Sequence, residues 1–274
     1  MADGRAARPR PVGAAWIVVG LVALYIGAIL LVPLGALVQA VAADLGGVAT
    51  ALVQPDALRA LGLSIVLAAV ALLLNGVAGI VGALVLTRQR FAGRRLLDAL
   101  VDLPLAVSPV MTGLAFLLLF GRNGWLGPVL QAMGVKVAFA IPGLVLATVF
   151  VTLPFMLREI ALVLEELGTS EEDAASTLGA TAWQTFRLVT LPNLREGLTL
   201  GATLTVARAL GEFGAVLVLG GAISGRTDTA TTFIHNAMEE RHTTSAYGMA
   251  LVLAAAAAAL LVLLQRPSQT VRGK

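Results

Sequence analysis

Apolar residues in this chain come in long stretches, not at the alternating or 3.6-residue spacing of half-buried elements. Six stretches approach or exceed the roughly 20 residues needed to cross a hydrocarbon core: 14–41, 61–86, 99–120, 139–157, 197–219 and 247–264. Trp16 stands near the start of the first, Pro104 and Pro109 interrupt the third, and Pro142 and Pro154 lie near the ends of the fourth. Strand signals are weak throughout. A backbone in lipid must satisfy its own hydrogen bonds, so the runs are expected to be helices. The pattern predicts an all-α integral membrane protein with about six transmembrane helices. Residues 1–13 and 265–274 are expected to be cytoplasmic tails, and 14–264 the membrane domain.

A signal peptide is the alternative reading of the first stretch, since Arg5, Arg8 and Arg10 precede it and Ala40-Val41-Ala42 resembles a cleavage site. The stretch is far longer than an h-region and five more follow, which favours a span. Polar positions set the orientation. With the N-terminus inside, the cytoplasmic segments collect Arg5, Arg8, Arg10, Arg88, Arg90, Arg94, Arg95, Arg158, Arg187, Arg195, Arg266, Arg272 and Lys274. The outer loops hold only Arg59, Arg122, Lys136, Arg226 and Arg241. That asymmetry predicts both termini in the cytoplasm.

Composition agrees. Of 274 residues, 58% are hydrophobic and 13% charged, about half the charge of an ordinary soluble domain. Net charge is +3, but the basic residues flank apolar runs and form no stripe, so nucleic acid is not expected. There is no cysteine, which excludes disulfides and thiolate metal sites. No Gly-x-x-x-x-Gly-Lys-Ser/Thr occurs, and the only lysines are Lys136 and Lys274, so the chain is expected to bind no ATP itself. No internal duplication of the kind seen in self-sufficient carriers stands out. Six helices make a thin wall for a solute pathway, so a partner subunit is expected.

One cytoplasmic stretch does not fit a short turn. Residues 158–196 hold seven of the chain's sixteen acidic residues against Arg158, Arg187 and Arg195, a local charge of −4. An acidic surface on the positive-inside face suits a protein partner better than lipid. Thr169-Ser170-Glu171-Glu172 predicts a capping box. Ala174, Leu178, Ala182 and Phe186 recur at i+4 and predict one apolar face, Gly179 a bend or stop, and Pro192 a stop before the fifth span.

Asp173-Ala174-Ala175, three residues, Gly179, nine residues, then Val189-Thr190-Leu191-Pro192 resembles the EAA signature of ABC-importer permeases, with Asp for Glu and Val for Ile. The resemblance implies a type I ABC importer (MetI-like) permease fold. It also implies that Glu172, Asp173, Ala174, Ala175, Gly179, Leu191 and Pro192 form a coupling element docked on a cytoplasmic ATPase.

Further residues narrow the resemblance: Phe91-Ala92-Gly93-Arg94-Arg95, Asp102-Leu103-Pro104, Val107-Ser108-Pro109-Val110, Ile141-Pro142-Gly143, Leu191-Pro192-Asn193 and 207–216. Together they are similar to the sulfate/thiosulfate permease subunits. Phe213-Gly214-Ala215-Val216 and 225–229 favour the CysW type over its CysT partner, and some of these features are shared with molybdate permeases. This implies a second, CysT-like permease subunit, two ATP-binding subunits that use the ATP, and an extracytoplasmic sulfate-binding protein. An ATP-independent channel or carrier is the competing class.

Arg208 stands about eleven residues into the fifth run, or about 16 Å at 1.5 Å per residue, near mid-bilayer. A charge there faces the bundle interior or a water path, and Glu212 at i+4 can pair with it. Two readings stay open: Arg208 meets the anion or a gate, or the two lock the bundle as a structural ion pair. Pro104, Ser108 and Pro109 are the remaining candidates for lining the pathway, through carbonyls freed at a kink. Gly76, Gly79 and Gly82, with Asn75 beside them, predict close helix packing. His235, Glu239 and His242 have ligand-like spacing in the outer stretch 224–245, where a solvated loop or short helix touching a binding protein is the favoured reading.

Overall fold

The computed structural model describes residues 12–264, so the tails and their basic residues lie outside the described part. The described part is helical. The first stretch forms α1 (Val12–Ala42), followed by α2 (Leu45–Leu52), whose start is capped by Asp44 accepting the amide of Gly47 at 2.9 Å. The second stretch is longer than its apolar core, running as α3 (Pro55–Arg88) with Pro55 in the first turn, where a missing amide costs nothing.

The third stretch is not one kinked span. It divides into α4 (Arg94–Ala106) and α5 (Pro109–Phe120), inclined at 112° to each other. Only Pro109 marks the break. Val107 and Ser108 are extended, as the residue before a proline prefers, while Pro104 sits buried inside α4. A short outer helix, α6 (Gly127–Ala132), leads to α7 (Ile141–Leu167). This helix continues ten residues past the expected end of the fourth span. Ile160, Ala161 and Leu164 extend its apolar seam against Leu86 and Leu194, while Glu165 and Glu166 are exposed.

The cytoplasmic stretch carries α8 (Ser170–Thr177), α9 (Ala182–Thr185), a five-residue π-helix (Phe186–Thr190) and α10 (Leu191–Asn193). The fifth stretch is again two helices, α11 (Arg195–Leu210) and α12 (Gly214–Gly220), bent by 53°. An outer helix α13 (Ala230–Glu239) precedes α14 (Thr243–Leu264). Among the described residues four helices are long and apolar enough to cross a membrane, and the number is six if each bent pair counts as one broken span.

The packing centres on α7, which touches α3, α4, α5, α11 and α12. Glycines set these approaches. A Cβ on Gly79 would fall 2.7 Å from Met156, one on Gly82 2.6 Å from Leu157, and one on Gly201 2.8 Å from the sulfur of Met156. Gly76 faces open space and takes no part. Asn75 is fully buried and donates to Thr152 Oγ1 at 2.7 Å and to the Val149 carbonyl at 3.1 Å, polar glue between α3 and α7.

Candidate functional site

Two places gather the residues singled out above. The first is the cytoplasmic ledge formed by 168–194. Gly168 turns the chain off α7 with φ 63°. The expected capping box at Thr169 does not form. Thr169 Oγ1 donates to Asp173 Oδ2 at 2.9 Å, and Glu172 reaches elsewhere. The stronger partner is Arg88 at the end of α3, whose Nε donates to Glu172 Oε2 at 3.0 Å; a charge-assisted bond outcompetes a neutral cap. The same guanidinium donates to the carbonyls of Leu164 at 3.1 Å and Gly168 at 2.6 Å, closing the C-terminal end of α7, where a cation is favoured. Thr190 Oγ1 donates to Glu172 Oε1 at 2.9 Å, and Asn193 Nδ2 to Glu171. Glu172 thus ties α8 to both α3 and the entry to α11.

The continuous apolar face expected through Ala174, Leu178, Ala182 and Phe186 is interrupted. Gly179, at φ 85°, ends the α8 turn, with the amide of Ala180 donating to the Ala175 carbonyl at 3.1 Å. The capping box appears instead at Thr181 and Gln184. Nothing in α8 is buried. Asp173 and Ala174 face outward, Leu178 is 88% exposed, and Trp183, 67% exposed, stacks on Phe186 at 5.6 Å. Pro192 does not stop a helix. It has no amide to give, and the turn before it widens to π geometry, with the Leu191 amide reaching the Phe186 carbonyl. The ledge is a small exposed surface of acids and bare apolar side chains, bonded to the spans through Glu172.

The second place is the junction of the two bent pairs. Gly214, at the start of α12, meets the start of α5: a Cβ there would sit 3.1 Å from Pro109 Cβ and from the Val110 nitrogen. One turn on, a Cβ on Gly113 would fall 2.9 Å from the Ala215 carbonyl. The half-helices α5 and α12 therefore run side by side, their N-terminal ends together. Ser108 is exposed beside Pro109, whereas Pro104 belongs to the other arm of its pair.

Glu212 lies in the break between α11 and α12, buried to 1% at its side chain. Its Oε1 accepts the Ala215 amide at 2.9 Å, and its Oε2 stands 2.6 Å from Arg208 Nη1 in an ion pair outside hydrogen-bond angles. Its carbonyl accepts from Thr231 Oγ1 at 2.6 Å, joining α13 to the break. Arg208 keeps 29% of its side chain exposed. Glu212 is fully committed to holding the break, which favours the structural reading of the pair, while Arg208 retains a free face.

Arg158 was read from the sequence only as a loop cation, yet it clamps α4 to α7. Its Nε and Nη2 grip Asp102 at 2.8 and 2.7 Å, and its Nη1 reaches Asp98 at 2.7 Å. The only sequence signal is that Asp98 and Asp102 stand four apart on one face of α4; their cation comes from 56 to 60 residues downstream. His235 packs edge-on against Phe213 at 5.3 Å, and His242 Nδ1 stands 3.4 Å from Glu240. No cluster of three metal-ligating side chains occurs among the described residues.

Comparison with known proteins fits this geometry. The family described as "Binding-protein-dependent transport system inner membrane component" matches residues 75–267. The sulfate transport system permease protein CysW of Synechococcus elongatus is 44% identical over 246 residues, covering 89% of this chain and 86% of that protein. The CysT protein of Escherichia coli K12 is 41% identical, covering 87% and 86%. A crystal structure of a bacterial ABC transporter that imports the acidic polysaccharide alginate superposes with a TM-score of 0.77 at 16% identity, over 96% of this chain and 98% of that one, a likeness of fold.

Proposed function

Since the chain belongs to the family of binding-protein-dependent transport system inner membrane components, we propose that it works as half of a gated pathway driven from its cytoplasmic ledge. It is the multi-pass membrane subunit of a sulfate ABC importer, of the CysW type. Relatives of both CysW and CysT type point to a permease heterodimer. The molybdate alternative is not favoured by these relatives, and thiosulfate, also a tetrahedral dianion, is proposed as a second cargo.

An ATPase docks on α8 and α9, with Asp173, Ala174, Ala175 and the exposed Leu178 and Trp183 as its contact surface. Gly179, Leu191 and Pro192 shape that surface, and two ATPase copies and an extracytoplasmic binding protein complete the importer. ATP is used by the ATPase and not by this chain. Both termini face the cytoplasm, as the arginine asymmetry supports. Arg208, Ser108 and Pro109 line the pathway at the junction, Glu212 holds it, and Pro104 stiffens the approaching helix.

One observation carries the coupling: Glu172, on the docking helix, is bonded to Arg88 on α3 and Thr190 before α11. A push on the ledge has a path into the spans. A single cysteine at exposed Ser176 should crosslink to the ATPase in intact membranes; no capture would sink the docking assignment. Uptake of labelled sulfate by the assembled importer should be competed by thiosulfate and not by equimolar molybdate, and the reverse order would overturn the substrate.

A further inference from the structure

At the end of the bundle opposite the ledge, a cavity of about 440 Å³ opens between Lys136, Phe139, Pro142, Gly225, Arg226 and Thr227. Two of its lining residues are cations and none is a carboxylate. A second cavity, about 690 Å³, adjoins it through Lys136 and Phe139 and adds Arg122. A Cβ on Gly225 would lie 3.5 Å from Arg59 Nη1 and 3.6 Å from Asp56 Oδ1. Arg59 is partnered, 3.7 Å from Asp56, but Lys136, Arg226 and Arg122 have no ion pair among the described residues. Four of the chain's five outer cations therefore gather in one region.

The cavity is fixed to the pathway. The Phe139 amide donates to the Leu219 carbonyl at 2.8 Å, which pins its wall to the outer end of α12. The other end of α12, about 10 Å away at 1.5 Å per residue, is the end capped by Glu212. Thr227 Oγ1 is already spent on the Gly220 carbonyl at 2.7 Å, so the cations are left to do the recognition.

We propose that this cavity is the landing site for the transported oxyanion: Lys136 and Arg226 receive a hydrated tetrahedral dianion as the binding protein releases it, and Arg122 and Arg59 add to the attracting field. Two unpaired cations balance two negative charges. At about 30 Å³ per water, the cavity holds the anion with about a dozen waters, so the anion keeps most of its hydration and binds weakly, as a transit site requires. The inference rests on the sulfate reading above.

The test is uptake of labelled sulfate by the complete importer in proteoliposomes with the double variant K136Q/R226Q. Its initial rate should fall about tenfold at low ionic strength, and the deficit should shrink at high ionic strength, since open charges act by screened attraction. Affinity for the loaded binding protein, and the ATPase stimulation it produces, should stay at wild-type levels. The charge-conserving K136R/R226K should transport normally. Wild-type uptake by the double variant at low ionic strength overturns the proposal. So does an equal loss of binding-protein affinity, which would make these cations a protein-docking surface. If the double variant fails to assemble, R226Q alone should lower the rate about threefold, with the same salt dependence. Absence of sulfate uptake by the wild-type importer would strike at the sulfate reading and not at this site.

Discussion

Two arginine–glutamate pairs use the same chemistry for opposite ends. Arg208 and Glu212 are one helical turn apart, and the carboxylate is 1% exposed. Arg88 and Glu172 are 84 residues apart, with 19% and 23% of their side chains exposed. The local pair fastens a break inside one bent span and is shut in by the Ala215 amide and the Thr231 hydroxyl. The long-range pair joins two separate elements at a surface, where water can share the charges when it opens. A buried pair is costly to break and suits a fixed joint. A pair in which both partners keep some contact with water costs less to make and unmake than one whose carboxylate is shut in, and suits a joint that moves.

The sharpest way to break this contrast is at Glu212. Glu212→Ala leaves Arg208 unpaired and the α12 amide uncapped, and should cost about 3–5 kcal/mol. The check is thermal unfolding of the purified importer, where loss of the assembled complex is expected. A small shift would show the pair to be dispensable. Arg88→Ala should behave differently: membrane levels stay near wild type while sulfate uptake falls about tenfold, about 1.4 kcal/mol of coupling. A parallel loss of folded protein would make Arg88 a structural residue like Arg208. Between these lies Asp102→Asn, which weakens the Arg158 clamp and should lower stability by about 1–3 kcal/mol in the same melt.

The smallest effect belongs to Asp228, buried beside Thr232, whose hydroxyl donates to it at 2.6 Å. Burial pushes its carboxyl above the usual carboxylate range, so the folded state holds this proton more tightly than the unfolded state. Its contribution is therefore full in acid, below the ordinary carboxylate pKa, and lost as pH rises through the raised value. Asp228→Asn, keeping an acceptor for Thr232, should be slightly more stable than wild type at neutral pH and lose that advantage in acid. An advantage that grows in acid would refute the assignment.

Much of this was legible beforehand because lipid leaves few options. Long apolar runs can only be helices, and each of the six runs is helical, four as single helices and two as bent pairs; Asn75, Gly79 and Gly82 pack as expected, and Gly76 does not. What the runs concealed was where helices break. Pro104 and Pro109 look alike in sequence, yet only Pro109 begins a new helix, because Val107 and Ser108 could extend before it while the chain around Pro104 stays packed against α7. The break at 211–213 has no proline at all and depends on Glu212 finding Arg208 and an amide cap. The ledge was legible as a motif but not in its wiring. A capping box competes with any cation that tertiary packing supplies, and Arg88 comes from 84 residues upstream, outside any local window. Arg158 was missed for the same reason.

The first helix, finally, stands apart from these arrangements. None of its most apolar window is buried within the chain, and its main contacts among the described residues are with α2 and α14. Its place is thus decided by what surrounds the molecule and not by fit to its siblings. Such a segment is free to drift in sequence so long as it remains greasy, whereas α3 and α7 are held to single atoms at Gly79 and Gly82.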